Sequence, residues 1–228
     1  MNKISELSED NPFAFKTYVY GLKDQERARV LNNAVKAGDI DFVRRLLDLN
    51  VKSNDSLFLA CQKKNFKIAQ LLFDKHGYKK GILYSLAKKN NYVAMKYLLD
   101  QGVDMEFCQK PHFSPLHVTA YSKGKDSAKI ARLLIKRGAN INLFKSGVTP
   151  LHACILEENI LVLDLLLKNK ARTDLAPKFE SRVKMVKEKY KKSTEVQRVF
   201  AKYETAYTAK DWTKKSKMKE FINVCSLG

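Results

Sequence analysis

One short pattern returns five times along this chain, and that recurrence limits the possible folds more than any other feature. Leu151 sits in TPLHACILEENILVLDLLLKNKA, residues 149–171. Its counterpart Leu116 lies 35 residues earlier in SPLHVTAYSKGKDSAKIARLLIKRGA, residues 114–139. Leu83 in ILYSLAKKNNYVAMKYLLDQG is 33 residues before that, and Leu57 in LFLACQKKNFKIAQLLFDKHG and Leu31 in LNNAVKAGDIDFVRRLLDLN follow at steps of 26. Each copy runs from a Leu to a small residue or Leu three positions on, then a polar pair, then an apolar stretch ending in Leu-Leu. A catalytic motif seldom recurs in tandem, whereas a structural unit often does. No such unit buries its apolar face alone; stacking buries it.

Within a copy the apolar residues fall at helical spacing. In the first, Leu31, Ala34 and Val35 line one helix and Ile40, Val43, Leu46 and Leu47 the next. Gly38 lies between them, where a left-handed residue ends a helix most easily. Thr149 suits a helix cap, and Pro150 the first helical position, where a missing N–H costs nothing. Small residues at Ala60, Cys61, Thr119, Ala120, Ala153 and Cys154 let stacked helices approach.

The pattern resembles the ankyrin repeat, whose unit reads roughly G-x-T-P-L-H-x-A-A-x-x-G-x-x-x-x-V-x-x-L-L-x-x-G-A-x-x-N. GVTPLHAC with LDLLLKNKA, and SPLHVTA with ARLLIKRGANIN, match it closely; LLDQGVD and AVKAGDIDFVRRLL extend the match to the third and first copies. The resemblance implies an all-α solenoid of helix-turn-helix repeats over residues 28–175, divided at about 28–53, 54–79, 80–112, 113–147 and 148–175. It implies that His117 and His152, with Pro115 and Pro150, hold neighbouring loop backbone and tie successive repeats. It also implies a concave binding face made of inner helices and β-hairpin fingers. A 26-residue spacing has room for two helices and tight turns only, so fingers are expected mainly in the C-terminal half, at 101–114 and 137–149. The fourth copy carries about three extra residues around YSKGKDS, 121–127.

Outside the stack, NPFAFKTYVYG (11–21) reads as a short helix: Asn11 cap, Pro12 first, Gly21 stop. Its Phe13, Phe15, Tyr18 and Val19 are expected to cover the first repeat, making residues 1–27 an N-terminal helical cap. Residues 176–228 hold 14 Lys/Arg and 6 Asp/Glu. Helical periodicity continues there through Phe179, Val183, Val186 and Tyr190, then Val196, Val199, Phe200, Tyr203 and Tyr207, then Met218, Phe221, Ile222 and Cys225. Thr194 to Gln197 reads as a capping box. A basic helical extension is expected, either a cap on the last repeat or a module with its own task.

The formal net charge is +19, carried mostly by Lys. Such a charge draws a protein to acidic proteins, nucleic acid or anionic membranes. The four Cys, at 61, 108, 154 and 225, form no CxxC pair, and MNKISELSED lacks the apolar run of a secretory leader. The chain is therefore expected to be cytoplasmic, in a reducing compartment. ILVLDLLL (160–167) is too short to span a bilayer. Cys108, His112 and His117 lack a fourth ligand at a standard spacing, so no metal is expected. His152 and Cys154 are two apart on a helix and point in different directions, so they form no nucleophile pair. With no phosphate loop and no paired carboxylates, the chain reads as a non-enzyme without a cofactor.

The residues expected to bind a partner are the polar ends of the inner helices, Lys36, Lys63, Lys88, Lys89 and Tyr121, with the finger residues Phe107, Gln109, His112, Phe144 and Lys145. Each Lys taken singly reads as solvated surface; as a row they read as a basic groove for an acidic protein. The expected function is a monomeric interaction module, an adaptor or inhibitor-like binder, in the style of effectors that intracellular bacteria deliver into host cells. The alternative is that the basic C-terminal helices bind nucleic acid or acidic lipid while the repeats recruit a protein. Tyr190, Tyr203, Tyr207 and Trp212 would then form a stacking platform or interfacial anchor.

Overall fold

The computed structural model describes residues 2–105, 113–173, 175 and 180–206. Among these the chain forms fourteen α-helices and one isolated antiparallel bridge, Lys145 to Val148. It divides into two compact units, residues 1–82 and 83–228.

The first unit contains α1 (Asn2–Asp10), α2 (Pro12–Gly21), α3 (Asp24–Ala37), α4 (Ile40–Asp48), α5 (Ser56–Gln62) and α6 (Phe66–His76). Helices α3 and α5 pack as one layer and α4 and α6 as the second, with α1 against α2 and α4. Helix α3 buries Leu31, Ala34 and Val35; α4 buries Phe42, Val43, Leu46 and Leu47. Asn11 caps α2 by accepting the Ala14 N–H at 3.0 Å.

The load on α2 is divided differently from the expectation. Phe15 and Val19, one turn apart, are buried, and the Phe15 ring meets Phe42 at 5.8 Å. Phe13 is 80% exposed and Tyr18 is also exposed. Two positions on a helix are about 200° apart around its axis, so Phe13 and Phe15 cannot both face the core. Helix α1 has no counterpart in the sequence reading; Arg45 of α4 holds it through Glu9 at 2.7 Å. Helix α3 also starts at Asp24, inside the segment expected to be cap.

The second unit contains α7 (Ile82–Lys88), α8 (Tyr92–Asp100), α9 (Pro115–Tyr121), α10 (Ser127–Lys136), α11 (Pro150–Glu157), α12 (Ile160–Lys168), α13 (Glu180–Lys192) and α14 (Thr194–Ala206). Helix α9 packs on α11 and α11 on α13, while α8, α10, α12 and α14 form the other layer in that order. The basic extension, as far as residue 206, therefore continues both layers as one more helix pair. Val186, Tyr190, Val196, Val199 and Phe200 are its buried face, with Tyr190 edge-on to Phe200 at 5.5 Å. Its cap is Ser193, not Thr194: Ser193 Oγ accepts the Val196 N–H at 3.4 Å. Gln197 instead donates to the Tyr190 and Lys191 carbonyls at the end of α13, at 2.9 and 3.1 Å. Those carbonyls lack intrahelical partners, so a nearby amide serves them better than it serves its own helix start.

Most turns follow one rule. In four of the helix pairs the inner helix ends on a left-handed residue and the next residue caps the outer helix; α9 instead ends on the extended Ser122. Gly38 (φ 79), Lys64 (φ 60), Asn90 (φ 54) and Glu158 (φ 54) hold the first position. Asp39, Asn65, Asn91 and Asn159 hold the second, accepting N–H groups of Phe42, Ile68, Ala94 and Val162 at 2.9–3.3 Å. Outer helices close similarly, on Asn50, Gly102, Gly138 and Lys170. The residue that follows each is buried, and its N–H bonds back to Leu46, Leu98, Leu134 or Leu166 at 3.0–3.2 Å. The links α4–α5 and α6–α7 are short, and the segment 137–149 carries the single described bridge, with Ser146 and Gly147 at its tip.

Candidate functional site

Because α3, α5, α7 and α11 end in the same left-handed turn, their last residues stand at one edge of their unit. In the first unit Lys36 ends α3's last turn and Lys63 follows α5, both exposed and on packed neighbours. In the second unit Lys88 closes α7 and Lys89 follows it, both exposed. Tyr121 ends α9, half-buried, its ring edge-on to Phe113 at 5.2 Å; Phe113 also meets the His117 ring at 5.6 Å. His117 and Tyr121 share a face of α9 at a spacing of four, and Phe113, in the segment just before the helix, covers that face.

The longer turn after α9 adds two cations that the sequence reading passed over, Lys123 and Lys125, both exposed. Gly124 seats this turn: a β-carbon there would overlap the Asn90 carboxamide. Lys123 and Lys125 thus stand on the turn adjoining the one that carries Lys88 and Lys89. The signal was the insertion itself, since extra residues in a tight repeat must pack on something.

The next turn is built differently. Glu158 occupies a left-handed position that favours Gly, and its carboxylate accepts Lys189 Nζ at 2.7 Å and Ser193 Oγ at 3.2 Å. The hydrogen bond from Lys189, and its charge, hold the Glu158 carboxyl below the usual carboxylate range; Lys123 adds to this. Asn159 Nδ2 donates to the carbonyls of Thr119, Ala120 and Ser122 at 3.2, 3.3 and 2.7 Å, while Oδ1 caps α12. One amide thereby satisfies orphan groups at the end of α9 and the start of α12. On the other layer, Asp164 accepts Lys202 Nζ at 2.6 Å and Tyr203 Oη at 3.1 Å. Two carboxylates therefore hold the C-terminal helix pair on α11 and α12.

The histidines are joists. His117 Nε2 donates to the Val148 carbonyl at 3.2 Å and Nδ1 accepts from Ser114 Oγ at 2.9 Å. His152 Nδ1 accepts from the Thr149 N–H at 3.1 Å, and the Leu175 backbone is hydrogen-bonded to the same ring. Burial lowers both imidazoles to a pKa of about 4, so both are neutral near pH 7. Pro115 and Pro150 are the first residues of their helices. Burial pushes the Cys61 thiol up to about 12 and raises Cys154 well above the ordinary value, which leaves neither thiol reactive.

Of the finger residues, Phe144 is 36% exposed, and Lys145 is half-buried and exchanges backbone bonds with Val148 at 3.0 Å. Phe107, Gln109 and His112 lie outside the described residues, as do Cys108, Tyr207 and Trp212. Among the described residues no three His, Cys, Asp or Glu gather as metal ligands. No described helix is long and apolar enough to cross a membrane.

Residues 83–176 match a family model described as ankyrin repeats (3 copies). A putative ankyrin repeat protein of Rickettsia felis is 30% identical over 133 residues, 54% of this chain and 58% of that one. A putative ankyrin repeat protein of fowlpox virus is 29% identical over 109 residues, 46% of this chain and 31% of the relative. The chain thus spans less than two thirds of either relative. An ankyrin repeat domain from Acinetobacter baumannii superposes with a TM-score of 0.59 at 19% identity, covering 76% of this chain and 96% of that one. The ankyrin repeat domain of Bcl-3, a member of the IkappaB family, gives 0.60 at 18% identity, covering 85% and 96%. Repeat pattern, two-layer helix pairs and these likenesses agree: residues 83–176 carry ankyrin repeats, which generally serve as protein–protein interaction modules, and the fold is that of an all-α ankyrin solenoid.

Proposed function

We propose that this protein is a non-catalytic binder of other proteins, an adaptor or inhibitor, that receives an acidic segment of its partner on the inner-helix edge. One observation carries the reading. Lys88, Lys89, Lys123 and Lys125 stand on two adjoining turns, and Gly124 fixes those turns against each other. Like charges held together repel, and a carboxylate-rich partner relieves that repulsion while being steered in. Lys36 and Lys63 offer the same chemistry in the first unit, and Phe144 and Lys145 supply contacts from the finger. The setting we favour is the cytosol of a host cell, with the chain delivered there as a bacterial effector and acting as a monomer. The Lys-rich, divergent repeats and the likeness to a Rickettsia felis protein support that setting.

The second reading, an anion-surface binder through the C-terminal helices, rests on the exposed Lys184, Lys189, Lys191 and Lys192 of α13. Tyr190 and Phe200 are buried against each other, which closes both rings to stacking on bases, and the half-buried Tyr203 has its hydroxyl on Asp164 and Lys202 Nζ over its ring at 5.1 Å. That weighs against it.

The two readings separate on the full chain, run beside Lys88→Glu/Lys89→Glu/Lys123→Glu and a truncation after residue 175. Captured partners are identified by mass spectrometry and titrated back in pure form at low and high salt. The proposal expects an acidic protein whose affinity falls at least about tenfold with the charge reversal. Capture of nucleic acid or lipid that follows the truncation and vanishes with salt would sink it.

A further inference from the structure

We infer that the hollow between α9, α11 and α13 is an anchor pocket for one large apolar side chain of the acidic segment. The C-terminal helix pair then supplies one wall of the binding site. This inference rests on the acidic-partner reading above.

The hollow measures about 500 Å³. Hollows of roughly 300–1,000 Å³ take drug-sized molecules, so this one takes a large side chain with its flanking backbone. Tyr121, Leu156 and Met185 are its apolar walls. Each wall comes from a different helix, and the Tyr121 ring is steadied by Phe113 behind it.

Met185 is the informative residue. Helix α13 seats itself with Val186 and Tyr190, which lie one turn apart and are buried. Met185 lies about 100° round from that face, is 47% exposed, and is surrounded in sequence by Lys184, Lys187 and Lys189. An apolar residue on the charged side of the helix, lining a hollow and unused in seating the helix, is placed for a ligand. A thioether also adapts its shape to different side chains.

The charges of the hollow decide what enters it. Glu157 and Glu188 line it together with Lys189 and Lys192, and Lys189 is already held by Glu158. The signs balance, so an Asp or Glu gains nothing there. On the preceding turns Lys88, Lys89, Lys123 and Lys125 form no ion pair with a described residue, although Lys123 acts on the Glu158 carboxylate. The complementary segment therefore carries several acidic residues for the lysine turns and one Leu, Met or Phe for the hollow. Such a buried apolar anchor beside a charged rim is the usual form of an interface hot spot.

The test uses the full chain and a set of dye-labelled peptides. Each has a run of alternating Glu and Ser, a Gly-Ser spacer of graded length, and then either Leu or Ala, in both chain directions. Binding is read by fluorescence anisotropy. At the spacer that matches the distance, the Leu peptide should bind about tenfold tighter than its Ala twin. Met185→Glu should erase that ratio. Lys88→Glu/Lys89→Glu should weaken both peptides and keep the ratio. Met185→Gln, similar in length and tolerable at a half-exposed site, repeats the test, with an unchanged thermal melt as the check on folding. Equal binding of Leu and Ala peptides at every spacer overturns the anchor pocket and leaves the acidic groove standing. Absence of binding by every acidic peptide overturns both.

Discussion

Lowering the pH from 7 to 5 should remove about 2 kcal/mol of folding stability through each of His117 and His152. Both rings have a folded pKa of about 4, below the ordinary 6.5, because burial penalises the imidazolium. The hydrogen bonds each ring makes to neighbouring backbone oppose that shift only in part. Above pH 6.5 both states are neutral and the rings contribute no pH dependence. Between pH 6.5 and 4 the unfolded chain takes up protons that the folded one refuses, so stability falls as the pH falls. Below 4 both states are protonated and the loss levels off. The assay is urea unfolding of the full chain followed by far-UV circular dichroism at fixed ionic strength, which holds the screening of the +19 charge constant. His76 is lowered too, by burial first and then by Lys52 and Lys75, and it acts in the same direction. A His117→Gln/His152→Gln variant separates it: less stable than wild type at pH 7, it should lose much less between pH 7 and 5. Stability flat over that range, a variant keeping the full slope, or ring resonances titrating near 6.5 would refute the account.

Other substitutions test the packing. Lys64→Gly should stabilise the first unit by roughly 0.5–1 kcal/mol, since it removes a left-handed side-chain residue with φ 60, whereas Gly38→Ala at φ 79 should destabilise it by about 1–2 kcal/mol. Equal and opposite results in thermal melts would contradict the turn rule. Phe200→Ala should cost about 3–5 kcal/mol by leaving a cavity under α13 and α14. Hydrogen exchange should then accelerate in residues 180–206 before it does in α9 to α12. Asn159→Ala should cost roughly 2 kcal/mol or more in urea melts, since it removes the α12 cap and strands carbonyls at the end of α9. A cost of a few tenths would show that water replaces the amide there.

Much of this protein could be read from spacing. The five leucine anchors, the caps at Asn11 and Thr149, and the Gly38 stop are local: each depends on residues within one helical turn, where backbone geometry alone relates side chain to neighbour. Leu31, Ala34 and Val35 of α3 and Val43, Leu46 and Leu47 of α4 follow from the same periodicity, whereas Ile40 is only half-buried and Phe42 takes the buried place beside Val43. The prolines before His117 and His152 mark helix starts for the same reason.

The rest depends on residues far apart in the chain, from Phe15 and Phe42 to Tyr121 and Met185, and no local period encodes those. Phe13 and Phe15 look alike in the chain, and only packing against Phe42 turns one inward. Residues 180–206 read as amphipathic, yet that pattern cannot say what the apolar face meets; α11 and α12 supply the answer through Glu158, Asp164 and the cluster around Phe200. The candidate site has the same origin. Lys123 and Lys125 gain meaning because Gly124 rests on Asn90, and Met185 because α13 leaves a gap beside Tyr121. A repeating sequence specifies its unit through short-range geometry, while the surface the stack displays arises where one unit's irregularity meets the next.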